Sequence, residues 1–406
     1  MLNTQYSTVI GVFGRRNTGK SSLINLLAGH DVAIVSPIPG TTTDPVKKRM
    51  EIFGLGAVTL IDTPGIDDHG ALGRLRTNRT RQVINLIDAA ILLLSDNRIT
   101  TFEQTLMQSF HNEAIPFLVL HNKTDKQEAS PQTRLLIKKH CPIPLIDFVT
   151  LPDPIRRDAQ IQQLADALQL ILADPVLRPA SLLDGLVRPG DTLLLVVPID
   201  TEAPEGRLIL PQVQTIRAAL DSNCIAIVLK ETEVRPFLNA SSTPPALVIT
   251  DSQLFGRIDK IIPSHIPLTG FSILLARHKG DFESYLKGAP AISRLCSGDQ
   301  ILIMENCTHQ TTCDDIGRVK IPALLRKFTG LQLNIHHLPA LAPLPDNVSA
   351  FALVIQCGAC MITPRQLHNR IRPFLAAGVP VTNYGMAIAY MQGIFPRTTA
   401  PFTITD

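Results

Sequence analysis

Short aliphatic runs alternate along this chain with stretches whose apolar residues recur at helical spacing. In residues 1–173 the runs are TVIGVFG, VTLIDTP, AAILLLSD, PFLVLHNKTD and PLIDFVT. Strands separated by amphipathic helices predict a parallel α/β sheet. Residues 174–191, DPVLRPASLLDGLVRPGD, interrupt the pattern with proline, glycine and small residues, which predicts a sparsely packed linker. A second series occupies 192–268: TLLLVVPID, a helical LPQVQTIRAALD, CIAIVLK, a short helical patch and ALVITDSQ. It is too small for a second copy of the first unit. The third, 269–406, contains ILIMENCTH, LQLNIHHL, FALVIQCGAC and VPVTNYG, with helical patterns around Lys320 to Thr329 and Gln366 to Ala376. Neither an internal repeat nor a low-complexity tract is visible.

A length of 406 residues agrees with about two to three domains. Lysine and arginine number 38 against 35 acidic residues, a net charge of +3 that is too even to imply a nucleic-acid or membrane partner by bulk charge. The longest apolar runs are strand-sized, well short of the roughly 18 residues of a membrane span. Without a signal-like N-terminus the expectation is a soluble, cytoplasmic protein. Seven cysteines, an odd number, argue for reduced thiols over a disulfide framework and leave metal binding open.

Gly14-Arg15-Arg16-Asn17-Thr18-Gly19-Lys20-Ser21 matches G-x-x-x-x-G-K-[ST] between a strand and the helix-like SSLINLLAG, which begins with Ser21 and Ser22. Glycines there let backbone N–H groups curl around phosphates, Lys20 reaches the β/γ oxygens and the Ser21 hydroxyl can bind Mg2+. Asp62-Thr63-Pro64-Gly65 closes the strand VTLID, so Asp62 can hold the magnesium shell while the Gly65 amide faces the γ-phosphate. Asn122-Lys123-Thr124-Asp125 ends another strand, and a carboxylate at Asp125 can accept guanine N1–H and the exocyclic amine, favouring GTP over ATP.

Together these strand ends resemble the translation-factor-type GTPases of bacteria. The fold class expected is therefore α/β: a P-loop GTPase domain with a parallel sheet, followed by two smaller α/β domains. The resemblance makes Thr42 the candidate switch residue on magnesium and γ-phosphate, with Thr41 and Thr43 adjoining. Ile66 stands where many regulatory GTPases carry a water-orienting glutamine, which predicts slow intrinsic hydrolysis. Asn17 resembles the asparagine of K+-activated relatives, with a plain loop-capping role equally open. Val149-Thr150-Leu151 replaces the usual Ser-Ala of the last guanine loop and predicts backbone contact alone.

Cys307-Thr308-His309 follows ILIMEN and Cys357-Gly358-Ala359-Cys360 follows FALVIQ, so both motifs leave a strand at its carboxyl end. In a parallel sheet those ends share one edge, where three thiols can converge. Three thiolates suit zinc with His309 as fourth ligand, or a 4Fe-4S cluster with one iron left for a non-cysteine ligand. Cys141, Cys224, Cys296 and Cys313 lack such partners and read as buried or incidental thiols, with Cys313 close enough to Cys307 in sequence to stay open as a neighbour of that site. Over the whole chain, VVPID, LPQ, C-x-H, DIGRVKIP, C-x-x-C and TNYG occur in the order seen in HydF, the FeFe-hydrogenase maturation GTPases, which this sequence resembles. The resemblance implies a GTPase domain, a dimerisation domain giving a homodimer, and a cluster domain. It further implies that the cluster domain takes a two-iron precursor from radical maturation enzymes and passes it to the FeFe-hydrogenase apoprotein. Cys307, Cys357 and Cys360 match the family's three 4Fe-4S ligands. Gln356 stands where the family usually has histidine, leaving His309 as candidate fourth ligand or neighbour of the precursor. A zinc-stabilised regulatory GTPase and a ribosome- or RNA-associated GTPase are the competing readings; the latter lacks a basic, aromatic-rich module here.

Overall fold

The computed structural model describes residues 7–28, 46–52, 55–63, 83–84, 86–149, 154–172, 181–199, 208–305, 315–339, 342–359 and 362–403. The chain divides into two compact units, Met1–Arg178 and Pro179–Asp406.

The first unit is built on a six-stranded sheet of order β2-β3-β1-β4-β5-β6. Its strands are β1 (Thr8–Gly14), β2 (Val46–Ile52), β3 (Gly56–Asp62), β4 (Ala89–Leu94), β5 (Phe117–His121) and β6 (Ile146–Asp147). All pair in parallel except β2, which runs antiparallel to β3 at the edge. The aliphatic-run signal does not reveal β2, whose sequence VKKRMEI is half charged. An edge strand tolerates such charge because only one side of it is paired. Both faces are covered: α1 (Lys20–Ala28) and α4 (Pro154–Ile171) enclose a core with Leu23, Leu60 and Leu164, while α2 (Thr101–Asn112) and α3 (Pro131–Lys138) enclose one with Phe13, Phe110 and Ile137. Burial on both faces explains why β4, AAILLL, is apolar at every position.

The second unit contains two four-stranded parallel sheets. One has the order β10-β9-β7-β8, from β7 (Thr192–Val196), β8 (Ile225–Leu229), β9 (Leu247–Thr250) and β10 (Leu268–Gly270). The expected division at 268/269 falls inside β10. The other, β12-β11-β13-β14, uses β11 (Gln300–Met304), β12 (Asn334–Leu338), β13 (Leu353–Gln356) and β14 (Val381–Asn383). Intervening helices are α5 (Leu210–Asp221), α6 (Val234–Ala240), α7 (Phe271–Lys279), α8 (Phe282–Gly288), α9 (Ile321–Thr329), α10 (Pro364–Ala376) and α11 (Tyr384–Met391). Close to its end the chain returns to the first of these sheets, where Thr269 Oγ1 donates to the Thr398 carbonyl at 2.9 Å and Arg397 Nη1 meets Asp259 Oδ1 at 2.7 Å.

Candidate functional site

The loop from β1 to α1 takes its shape from positions only certain residues can occupy. Gly14 has φ +147°, and a Cβ there would lie 2.7 Å from the Leu93 carbonyl and 2.8 Å from Thr18 Oγ1. Asn17 adopts φ 62°, a left-handed conformation that asparagine tolerates better than most side chains. Buried Lys20 donates from Nζ to the carbonyls of Gly14 (3.0 Å) and Arg15 (2.8 Å), oxygens that stand in for phosphate. Ser21 Oγ donates to Asp62 Oδ2 at 2.8 Å, so the two expected magnesium-holding groups rest on each other. Asp62 Oδ1 is buried without a hydrogen-bond partner among the described residues. Burial pushes the Asp62 carboxyl upward, opposed by the Ser21 hydrogen bond and by Lys20 and Lys48. A buried carboxylate oxygen with no donor, beside a hydroxyl, fits Mg2+ and its water shell. Ser22 is exposed at the start of α1.

The guanine segment closes on the same loop. Asn122 is fully buried and donates from Nδ2 to the Thr18 carbonyl at 2.7 Å, while Lys123 Nζ donates to the Asn17 carbonyl at 2.6 Å. Thr124 is tied to the end of β6 through the Phe148 carbonyl. Asp125 is exposed, free to meet a base. Thus Gly14, Asn17, Thr18, Gly19, Lys20, Ser21, Asp62, Asn122, Lys123 and Asp125 gather at the carboxyl edge of β1, β3 and β5. Thr42 and Gly65, with Thr41, Thr43, Ile66, Thr150 and Leu151, lie outside the described residues.

One part of this site escapes sequence reasoning. Arg15 forms a bidentate pair with Glu103, Nε to Oε1 at 2.7 Å and Nη2 to Oε2 at 2.7 Å, and also reaches Thr100 Oγ1. Glu103 is 1% exposed and accepts the Thr100 N–H at 2.7 Å, the capping arrangement of α2. The T-x-x-E spacing of the cap is readable in sequence; its engagement of a phosphate-loop arginine is not.

At the other expected site, β11 and β13 are adjacent and parallel, with Met304 opposite Gln356. The Cys357 N–H donates to the Met304 carbonyl at 2.9 Å, so the two chains leave the sheet side by side. Cys357 is half-buried. Cys307, His309, Cys360 and Cys313 lie outside the described residues, and among the described residues no three His, Cys, Asp or Glu side chains cluster as metal ligands. The C-x-x-C loop turns through Ala359 at φ 53° and rests on buried Lys279, whose Nζ donates to the carbonyls of Ala359 (2.8 Å) and Ile362 (3.1 Å). Gln356 is buried within the sheet. Asn383 serves structure: Oδ1 caps α11 at the Met386 N–H and Nδ2 donates to the Ser272 carbonyl. The DIGRVKIP segment is a latch, with Asp315 capping its turn, Arg318 bidentate on Glu305 at 2.7 and 3.0 Å, and Gly317 so close to the Tyr384 hydroxyl that a Cβ would meet it at 2.2 Å. Cys141 and Cys224 are buried thiols donating to the Phe117 and Arg188 carbonyls, and burial pushes both thiols up. Cys296 is exposed.

A glycine-framed loop after β1, a Ser21–Asp62 pair and a buried asparagine holding that loop define the class: a P-loop GTPase. Residues 9–123 match the family described as 50S ribosome-binding GTPase, 182–280 the hydrogen maturase F dimerization domain and 283–401 the hydrogen maturase F tetramerization domain. The chain belongs to the hydrogen maturase F (HydF) family. Among curated proteins it is similar to the tRNA modification GTPase MnmE of Nitrosospira multiformis, 39% identical over 127 residues, 30% of this chain and 27% of that protein. The GTPase Der of Chloroflexus aggregans is 38% identical over 129 residues, covering 30% and 28% of the two chains. The match thus spans about a quarter of the length of these relatives. Among solved structures, the G domain of the T. maritima FeoB iron transporter aligns with 39% of this chain and 99% of its own at 19% identity and a TM-score of 0.30. A probable GTP-binding protein engB aligns with 41% and 100% at 20% identity and 0.32. No helix among the described residues is long and apolar enough to cross a membrane.

Proposed function

We propose that this chain binds and hydrolyses GTP in its first unit and carries an iron–sulfur cluster in its second, serving as the scaffold from which a two-iron precursor reaches the FeFe-hydrogenase apoprotein. The observation that carries the cluster half is the exit of β11 and β13 side by side, with Cys357 at the mouth. Cys307, Cys357 and Cys360 would be its thiolate ligands, with His309 on the remaining iron; a 4Fe-4S cluster supplies an iron that can take and release an external ligand. In the GTPase half, Lys20 would orient and neutralise the phosphates, Ser21, Asp62 and Thr42 would hold magnesium, the Gly65 amide would serve the γ-phosphate, and Asp125 would select guanine. Magnesium, when bound, neutralises charge developing on the phosphoryl group. A potassium ion at Asn17 would accelerate hydrolysis. An edge strand β8 with Ile225 56% and Val228 41% exposed supports self-association of the second unit, hence a homodimer or larger assembly. The radical maturation enzymes are the other expected partners and the cytoplasm the expected compartment.

Anaerobic reconstitution with iron and sulfide tests the cluster reading. The wild type should take up about four irons, and Cys357→Ser and Cys360→Ser should take up almost none while retaining GTP hydrolysis. Stoichiometric zinc that iron does not displace would establish the zinc-stabilised GTPase instead.

A further inference from the structure

Arg370 lies two turns into α10, the helix entered from the C-x-x-C loop, and is 8% exposed. Its Nη1 donates to the Ala342 carbonyl at 3.1 Å, across the loop that follows β12. Among the described residues, Nε and Nη2 are buried without a hydrogen-bond partner and no carboxylate pairs with the guanidinium. Burial, the larger influence, works against its positive charge, and among the described residues the Cys357 thiol favours it. The buried Tyr285 hydroxyl likewise has no acceptor among the described residues, and after burial it feels Asp281 first and Cys357 second. An arginine cannot escape by deprotonation, and leaving a buried guanidinium half-satisfied is costly, so such a side chain implies an acceptor that arrives later.

We propose that Arg370 is a positioning residue for the metal–thiolate group anchored at Cys357: its Nε and Nη2 donate to a sulfur of that group and its charge offsets the group's negative charge. The inference rests on the cluster reading above. The chemistry is suited to the role. Thiolate and sulfide ligands leave a cluster anionic, and hydrogen bonds to its sulfurs together with nearby charge raise its reduction potential. Lys279 holds the backbone of the same loop from within the fold, so two buried cations serve one strand edge with different tasks: Lys279 shapes the loop, Arg370 faces what the loop holds.

The test uses the full chain and the variants Arg370→Met and Arg370→Lys, each measured without metal and after reconstitution with iron and sulfide. Without metal, Arg370→Met should melt no lower than wild type, because the buried charge it removes keeps a single hydrogen bond, to the Ala342 carbonyl, which does not offset the cost of burying it. After reconstitution its iron should pass to a chelator about tenfold faster, and its cluster potential should fall by about one decade in the one-electron equilibrium, about 59 mV. Arg370→Lys, which keeps the charge but loses the planar donor pair, should fall between the two. A melting temperature lowered in Arg370→Met with unchanged iron loss and potential would make Arg370 a structural residue and overturn the inference alone. A wild type that takes up no iron overturns the cluster reading and this inference with it.

Discussion

At the carboxyl edge of the six-stranded sheet, Lys20, Arg15 and Ser21 each rest on an acceptor that the protein supplies, whereas at the carboxyl edge of the C-terminal sheet Arg370 keeps two buried donors without one among the described residues. The two edges share a construction, loops leaving adjacent parallel strands, and differ in their electrostatic state before a ligand arrives. Where internal acceptors stand in for phosphate, a ligand trades one set of hydrogen bonds for another, and its departure strands few charges. That suits a nucleotide which cycles. Where a buried cation is only half-satisfied, the fold gains stability by being filled and resists emptying, which suits a group that must not be lost before hand-over.

The strongest way to break the comparison is to remove the charge the nucleotide site cannot replace. Lys20→Ala should lower GTP hydrolysis by about 10²-fold or more, since it removes the loop lysine that neutralises the β/γ oxygens. Iron content after reconstitution should stay at the wild-type level in the same protein. Simultaneous loss of both would mean that the two edges are not independent sites.

A smaller effect sharpens the account of selectivity. Asp125 is exposed at the end of a segment fixed by Asn122, Lys123 and Thr124, so its carboxylate can be altered without disturbing the loop. Asp125→Asn should weaken GTP binding by about 10²-fold, two charge-assisted hydrogen bonds being worth roughly 1.5 kcal/mol each, and should shift preference toward xanthosine triphosphate. Competition binding with GTP, ATP and xanthosine triphosphate measures it; an unchanged order of affinities would remove Asp125 from base recognition.

Sequence made the strand ends legible, because aliphatic runs followed by G-x-x-x-x-G-K-S, D-T-P-G, N-K-T-D or cysteine carry both the element and its chemistry. That the ends of β11 and β13 share one edge follows from the same pattern, since parallel sheets bring carboxyl ends together, whereas their direct adjacency comes from the strand order β12-β11-β13-β14. Other features were hidden for physical reasons. The strand β2 gives no aliphatic run because it lies at an edge and is half charged. Arg370 reads as one more basic residue on an amphipathic helix until the fold buries it. Asp315, Gly317 and Arg318 read as a family signature, and only the close approach of Gly317 to Tyr384 and the pairing of Arg318 with Glu305 show them to be a latch. The Arg15–Glu103 pair spans 88 positions, a separation at which no local pattern operates.

That pair offers the finest test, because it can convert one edge into the condition of the other. The Arg15 carbonyl accepts from Lys20 Nζ and from the Thr18 hydroxyl, so anchoring the Arg15 side chain on α2 holds the carbonyl end of the phosphate loop in place. Glu103→Gln keeps an oxygen for the Thr100 N–H but removes the carboxylate, leaving the largely covered Arg15 side chain with a neutral partner, as Arg370 has. Stability should fall by about 2 kcal/mol, and GDP and GTP should bind roughly five- to tenfold more weakly, about 1 kcal/mol. In the double variant Arg15→Met, Glu103→Gln the stranded charge is gone, so most of the stability should return. Nucleotide affinity should not return with it, because the loop still lacks its anchor. Urea unfolding and fluorescent-nucleotide titration of the two single variants and the double variant give the coupling energy for each property. Full recovery of affinity along with stability would reduce the pair to a fold-stabilising contact, and an affinity that never changed would show that the loop holds its shape without α2.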